Sequence, residues 1–401
     1  MSFLVTKSSL PVLVGPSEAT PTGIIPLTST DKSRLGRPFT LLHVFDRPIH
    51  EPAETIACTG EGVAFVAATA NCTLEDARFL HAPLAIPLAD LAVRYGGRCG
   101  VSDPLLMAQV TEFACGGYVV AVTWNHAIAD AFGLAQFLQA VGELARGPSS
   151  PSVVPARTDG SLPEIPQPLS TALAPRLAGR GHTYFAYTDV TIPWSFINRV
   201  KAEFSQQGQL SCSTFEVVTA AIWQCRTRAT TTGAADNPGS PAPLVFPVNV
   251  RSRVGAKGGY YGNCITSQLV TATRGAVADR DIVEVVKLVR RGKERIPDIL
   301  EGGPLPVVLD EELLGALCGY GALVLTSWGG IGLEGMDLGG GRPARVIPYM
   351  EMTVLPSSVM CPPCSSRKDG NDGSGDGVNV IAFCVREEHA AGFHAELTRL
   401  C

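Results

Sequence analysis

YVVAVTWNHAIADAFG, residues 118–133, changes character near its middle. As far as Trp124 it is apolar and rich in β-branched residues, which predicts a buried strand. Past Asp130, Phe132, Ala135, Leu138 and Ala145, with Leu134, Phe137, Val141 and Leu144, recur at helical spacing until Gly147 and Pro148 stop the helix. His126 therefore falls in a strand-to-helix turn with Asp130 one helical repeat further on. Two readings of this pair stand open at this stage. His126 is either a working base, or a buried histidine hydrogen-bonded by backbone next to an ordinary Asp130 helix cap.

Working outward, a chain of 401 residues is long for one core and suggests two domains. A hydrophobic fraction of 45% against 17% charged residues supplies large buried sheets and excludes a disordered chain. With a net charge of −5 there is no broad basic field, so nucleic acid and acidic membrane are not expected partners. Lys7 and Pro11 interrupt the apolar runs of MSFLVTKSSLPVLVG, and no later run reaches membrane-spanning length. The expected location is cytoplasmic. The twelve cysteines are scattered as small hydrophobes in strand-like and helix-like segments. Only Cys361 and Cys364 form a CxxC pair, and it lacks a second pair to complete a metal site, so no metal is expected.

The segment 147–182 is dense in Pro, Ser and Gly and reads as a crossover, dividing the chain into an N-terminal half (1–150), a linker (151–183) and a C-terminal half (184–401). Beyond it, PWSFINRVKAEF, STFEVVTAAIWQCRTRA and DIVEVVKLVRRGKERI read as helices and LVFPVNV as a strand, which gives an α/β pattern in both halves. Near the end, VNVIAFCV reads as a strand and HAAGFHAELTRL as a final helix. Gly330, Gly332 and Gly335 spell GxGxxG without a following helix and read as turn chemistry. KDGNDGSGDG (368–377) lacks calcium-ligand spacing and reads as a solvated loop. GxSxG, P-loop and HExxH signatures are absent from the sequence.

HxxxD alone is weak, but HAIAD is followed in order by FPVNVRSRV (246–254), GGYYGNC (258–264) and TSWGGIGLEGMDLGGGRP (326–343). Together these resemble the plant BAHD family of acyl-CoA-dependent acyltransferases, and the layout of LHVF, ACTGEGVAF, LEDARF and CSTFEVVTAAIWQCRTRA looks most like its grass branch, which favours hydroxycinnamoyl or benzoyl donors. The resemblance implies a two-domain fold like chloramphenicol acetyltransferase, with mixed sheets flanked by helices and an active-site channel between the halves. It makes His126 the general base for moving an acyl group from CoA to an alcohol or amine, and a neutral imidazole suits that role. A thioester is already activated, so no covalent enzyme intermediate is required. Acyl-CoA is then a cosubstrate, no cofactor is held permanently, and the protein is a monomer whose partners are small molecules.

By the same resemblance Asp130 pairs with Arg251 and orients the turn, and Asp337 opens a structural DFGWG-like segment. Gly262 and Asn263 look like channel-wall residues, and Ser213, Arg226 and Arg228 are candidates for contacting CoA. The chain departs from the family in three places. DLGGG puts Leu338 and Gly340 where aromatics are usual, and Ala131 stands where Gly usually follows HxxxD. After HEPAETI (50–56) roughly 25 residues of helix and strand are missing, by average element lengths. That gap leads to the expectation of a destabilised N-terminal half, and it raises the alternative of a truncated, catalytically silent homologue that at most binds CoA or a partner.

Overall fold

The protein is described here by a computed structural model. It covers residues 3–400 except 9, 16–26, 36, 47–61, 97–98, 100–102, 149, 158–161, 163, 179, 182, 209–210, 232–236, 304, 306–307, 351 and 364–375. The junction after Ile56, Cys364 and most of KDGNDGSGDG lie outside the described residues.

From the N-terminus come β1 (Val5–Lys7), β2 (Val12–Val14), α1 (Ser29–Arg34), β3 (Pro38–Phe45), β4 (Val63–Ala70), β5 (Leu106–Phe113), β6 (Tyr118–Asn125) and α2 (Ala131–Ala145). Then follow α3 (Pro168–Leu177), β7 (Thr183–Tyr184), β8 (Thr188–Pro193), α4 (Trp194–Gln206), α5 (Thr214–Thr230), β9 (Leu244–Asn249), β10 (Ile265–Val270), α6 (Arg274–Ala278), α7 (Ile282–Glu294), α8 (Ile296–Leu300) and α9 (Glu311–Leu317). The last elements are β11 (Leu323–Ser327), β12 (Arg345–Tyr349), β13 (Met352–Thr353), β14 (Ser357–Met360), β15 (Gly377–Phe383) and α10 (Glu387–Thr398).

Two mixed sheets carry the α/β fold. One runs β1-β4-β5-β6-β3-β12 with β2 also on β4, and the other runs β10-β9-β11-β14-β15-β8. Strand β6 is buried at every residue. Its even positions, Tyr118 to Trp124, pack against Leu134, Ala135 and Leu138 of α2, while Val119 and Ala121 face a second cluster with Leu42, Val44 and Phe113. A strand covered on both faces has no polar alternation, which is why this run is continuously apolar.

In the other half α5 is buried along nearly its whole length beside β9, β11, α7 and α10, its polar residues Glu216, Gln224 and Arg226 included. The halves are interlocked rather than merely adjacent. Strand β12 comes from late in the chain yet pairs antiparallel with β3, Ile347 opposite Leu42. Its buried Arg345 reaches Asp189 of β8 at 2.6 Å, so an ion pair spans the two sheets. The crossover is more ordered than its composition suggests. It contains α3, whose Pro168 occupies a first-turn position and whose Leu169 and Leu173 are buried against Leu269, Leu313 and Leu317.

Candidate active site

His126 lies one residue beyond β6, in the turn that leads to α2. Its amide donates to Arg37 O at 2.9 Å, and its carbonyl accepts from Asn263 Nδ2 at 2.8 Å. The ring meets Phe39 edge-on at 6.0 Å and is tilted against Trp124 at 6.2 Å. Phe39 also packs on Trp328 at 5.8 Å, so an aromatic wall stands beside the imidazole. The residue is partly exposed, while its Nδ1 is buried without a hydrogen-bond partner. Burial first, and the Arg34 guanidinium second, push its pKa down from 6.5 to about 4, although its own carbonyl and Asp130 pull the other way. At neutral pH the imidazole is uncharged.

Asp130 is the N-cap of α2, with Oδ1 accepting from Gly133 N at 3.1 Å. It is also far more than a cap. Arg251 Nη1 and Nη2 each donate to it at 2.8 Å, one to each oxygen, and Cys264 N adds a third kind of donor at 3.0 Å. Arg251 itself stacks on Phe132 at 5.1 Å and donates to Gly262 O at 2.7 Å. Asp130 and Arg251 thus clamp the turn to the 260–264 segment of the other half, and the carboxylate is turned into this frame rather than toward the imidazole.

A second clamp was not visible in the sequence. Asp31 of α1 is fully buried, forms a capping box with Thr28, and accepts from Asn263 Nδ2 at 2.9 Å and from Arg157 Nη2 at 3.0 Å. Arg157 in turn donates to the carbonyls of Ala127 and Ile128. The T-x-x-D spacing at Thr28 could have marked the helix start, but nothing in the Pro- and Ser-rich segment around Arg157 announced a partner 126 residues from Asp31.

Several expected residues take other places. Gly262 is buried, and a Cβ there would meet Tyr260 OH at 2.6 Å and Arg157 Nη1 at 2.7 Å. Asn263 is buried and its Nδ2 ties Asp31 to the His126 carbonyl. Arg226 does not fit a phosphate contact. It is buried inside α5 with Nε on Cys384 O at 2.8 Å and Nη2 on Tyr320 O, so its donors are committed to the fold. Arg228 donates to Ala278 O at 2.7 Å and lies 3.6 Å from Glu396, while Ser213 caps α5 in a box with Glu216. Asp337 Oδ1 accepts from Gly339 N and Gly341 N at 2.9 and 3.0 Å, and both glycines have φ near +100°. Ala131 is the first residue of α2, where alanine is favourable, so the usual glycine is not needed there. Among the described residues no cluster of His, Cys, Asp and Glu could hold a metal ion, and no helix is long and apolar enough to cross a membrane.

A sequence model of the Transferase family matches residues 46–398, which takes in the His126–Asp130 turn and the Asp337 loop. This chain belongs to that family, the BAHD acyl-CoA-dependent acyltransferases. Acyl transferase 15 of Oryza sativa subsp. japonica is 38% identical over all of this chain and 99% of its own length. Myricetin 3-O-glucosyl 1,2-rhamnoside 6'-O-caffeoyltransferase AT1 of Crocosmia x crocosmiiflora is 32% identical, with 99% of each chain covered. Among solved structures, vinorine synthase matches this BAHD chain with a TM-score of 0.67 at 20% identity, over 99% of this chain and 98% of its own. F. graminearum TRI101, solved with coenzyme A and deoxynivalenol, matches with a TM-score of 0.63 at 14% identity over 98% and 99%. The two-domain acyltransferase fold follows from these likenesses.

Proposed function

We propose that this protein transfers an aromatic acyl group, hydroxycinnamoyl or benzoyl, from CoA to an alcohol or amine, with His126 as general base and no covalent intermediate. The observation that carries the reading is an uncharged, partly exposed imidazole on a turn whose only nearby HxxxD carboxylate is fully engaged by Arg251 and Cys264. With Nδ1 enclosed, Nε2 is the nitrogen a substrate reaches. It takes the proton of the acceptor O–H or N–H as that atom attacks the thioester carbonyl. The new C–O or C–N bond forms, the tetrahedral intermediate collapses with loss of the C–S bond, and the proton passes from His126 to the CoA thiolate. Asp130 and Arg251 position the turn and take no proton.

The wall of Phe39, Trp124 and Trp328 suits a planar acyl group, since aromatic rings gain from edge and offset contacts beyond simple burial. The caffeoyl donor named for the Crocosmia relative agrees with this, and coenzyme A in the TRI101 structure supports a CoA thioester as cosubstrate. We read the enzyme as a cytosolic monomer. One observation favours a second reading, a silent truncated homologue. The alignment with the rice relative spans 445 positions, 44 more than the chain has residues.

The two readings separate in one assay. Purified protein is given aromatic and aliphatic acyl-CoAs with a pool of alcohols and amines, and released CoA and acylated product are measured by mass spectrometry. Turnover that falls by about 10²- to 10⁴-fold in His126→Ala supports the base. Equal turnover in a folded His126→Ala protein overturns it, and absence of turnover from folded wild type supports the silent homologue.

A further inference from the structure

The surroundings of His126 contain more positive than negative charge. Asp31 has Arg157 as its partner at 3.0 Å, and Asp130 has Arg251 at 2.8 Å. Both acids are therefore matched within the frame beneath the turn. Arg34 is different. It is the last residue of α1, in the short bend whose Arg37 carbonyl receives the His126 amide. Its Nε is buried and has no hydrogen-bond partner among the described residues, and no ion pair joins it to a carboxylate there. Its charge is felt by His126 more strongly than that of any other side chain, and Arg37 and Asp130 are the other charged groups facing the imidazole.

Arg34 is partly exposed, with Nε enclosed and unpartnered, so its guanidinium is incompletely hydrated and, apart from the field of Asp130, its charge is not answered by a carboxylate in an ion pair among the described residues. The balance is restored if an anion arrives with the substrate. The CoA phosphates are poorly placed to do this, since the pantetheine arm separates them from the thioester that must lie at His126. An aromatic acyl group on the Phe39 wall is uncharged where it meets the base. What remains is the acceptor.

We propose that Arg34 is a substrate-binding residue for a carboxylate carried by the acceptor, so that the preferred acceptor is a hydroxy acid or amino acid rather than a neutral alcohol or amine. Planar forked donors match a carboxylate in geometry as well as charge. This inference rests on the acyl-transfer reading for the word acceptor, while the anion site itself does not.

The test therefore begins with binding. Benzoate and benzyl alcohol are titrated calorimetrically into the whole protein and into Arg34→Gln and Arg34→Lys. Benzoate is expected to bind wild type, to weaken by roughly ten- to a hundredfold in Arg34→Gln, and to recover partly in Arg34→Lys. Benzoate should also raise the pKa of His126 followed by NMR, because it neutralises the neighbouring cation. Benzoate affinity unchanged by Arg34→Gln, or a His126 titration indifferent to benzoate, overturns the proposal.

Turnover then locates the carboxylate. With benzoyl-CoA, the ratio of kcat/KM for 4-(hydroxymethyl)benzoate over benzyl alcohol should fall at least tenfold in Arg34→Gln. If dependence on Arg34 appears only when succinyl-CoA replaces butyryl-CoA with benzyl alcohol as acceptor, the carboxylate belongs to the donor and the acceptor assignment is wrong. Arg34-dependent benzoate binding without any turnover would sustain the anion site while sinking acyl transfer.

Discussion

Beneath His126 and around it, the protein treats polar groups in opposite ways. Below the turn, Asp130 and Asp31 each meet an arginine and backbone or amide donors, and Asn263 joins the second acid to the His126 carbonyl. Around the turn, His126 Nδ1 and Arg34 Nε are buried without hydrogen-bond partners among the described residues. Buried acids are usually paired, and both acids of the frame are, although Asn263 Oδ1 and Tyr260 OH beside them lack partners among the described residues; the two regions differ in where charge is left unanswered. The lower one holds geometry. The upper one keeps donors and a lone pair for something that is not protein.

The sharpest way to break this comparison is to remove an acid from the frame. Asp130→Ala leaves Arg251, only 16% exposed, with its charge unanswered and strips the cap from α2. Breaking a buried pair from one side costs about 3–5 kcal/mol. Urea unfolding of the variant should show a loss of that order, and His126 chemistry should suffer through misplacement of the turn. A variant as stable as wild type would mean that the clamp is ornamental and that the distinction between the two regions fails.

Much of this frame could be read in the sequence and part of it could not. The strand, the turn and the helix around His126 follow from local pattern, with β6 buried throughout and α2 buried at Leu134, Ala135 and Leu138, although Phe137 and Leu144 of the same apolar set are exposed. The expectation that Asp130 and Arg251 pair came from resemblance to a family, and the two side chains lie 2.8 Å apart. Asp31 and Arg157 escaped because their meeting depends on three segments, around residues 31, 157 and 263, brought together only by the fold. Arg226 was misplaced for the converse reason. A charged residue in a helix looks solvated by default, and its burial under Tyr320 is a tertiary fact. A glycine such as Gly262 signals only that something approaches closely, and the approach of Tyr260 and Arg157 to it is again a tertiary fact.

The protonation of His126 and His43 tests the unsatisfied region with a somewhat smaller effect. His43 of β3 is fully buried, with Nε2 on Leu333 O at 2.9 Å and Nδ1 unpartnered. Burial lowers its pKa to about 4, as burial and Arg34 do for His126. Between the ordinary value near 6.5 and about 4, the unfolded chain binds protons that the native state refuses. Stability is therefore intact above pH 6.5 and falls as the pH drops toward 4, by up to about 3 kcal/mol for each histidine. Urea midpoints at pH 7, 5.5 and 4.5 should decline in that order. Midpoints flat across the window would show that both rings take up protons in the native state as readily as in the unfolded chain.

A finer probe lies within the frame itself, two residues from the start of α2. Gly133 sits in the first turn of the helix, where a Cβ would come within 1.9 Å of the Tyr261 carbonyl oxygen. The helix can approach the 260–264 segment this closely only without a side chain there. Gly133→Ala should then cost about 1–3 kcal/mol by overpacking, slightly offset by the better helix propensity of alanine. The distinctive readout is where the strain goes. Tyr261 precedes Gly262 and Asn263, so pushing it away loosens the donors to Asp31 and to the His126 carbonyl together. A stability loss accompanied by a changed His126 titration would tie the close approach to the base. A loss with that titration untouched would show that the two clamps hold His126 independently of how tightly α2 packs.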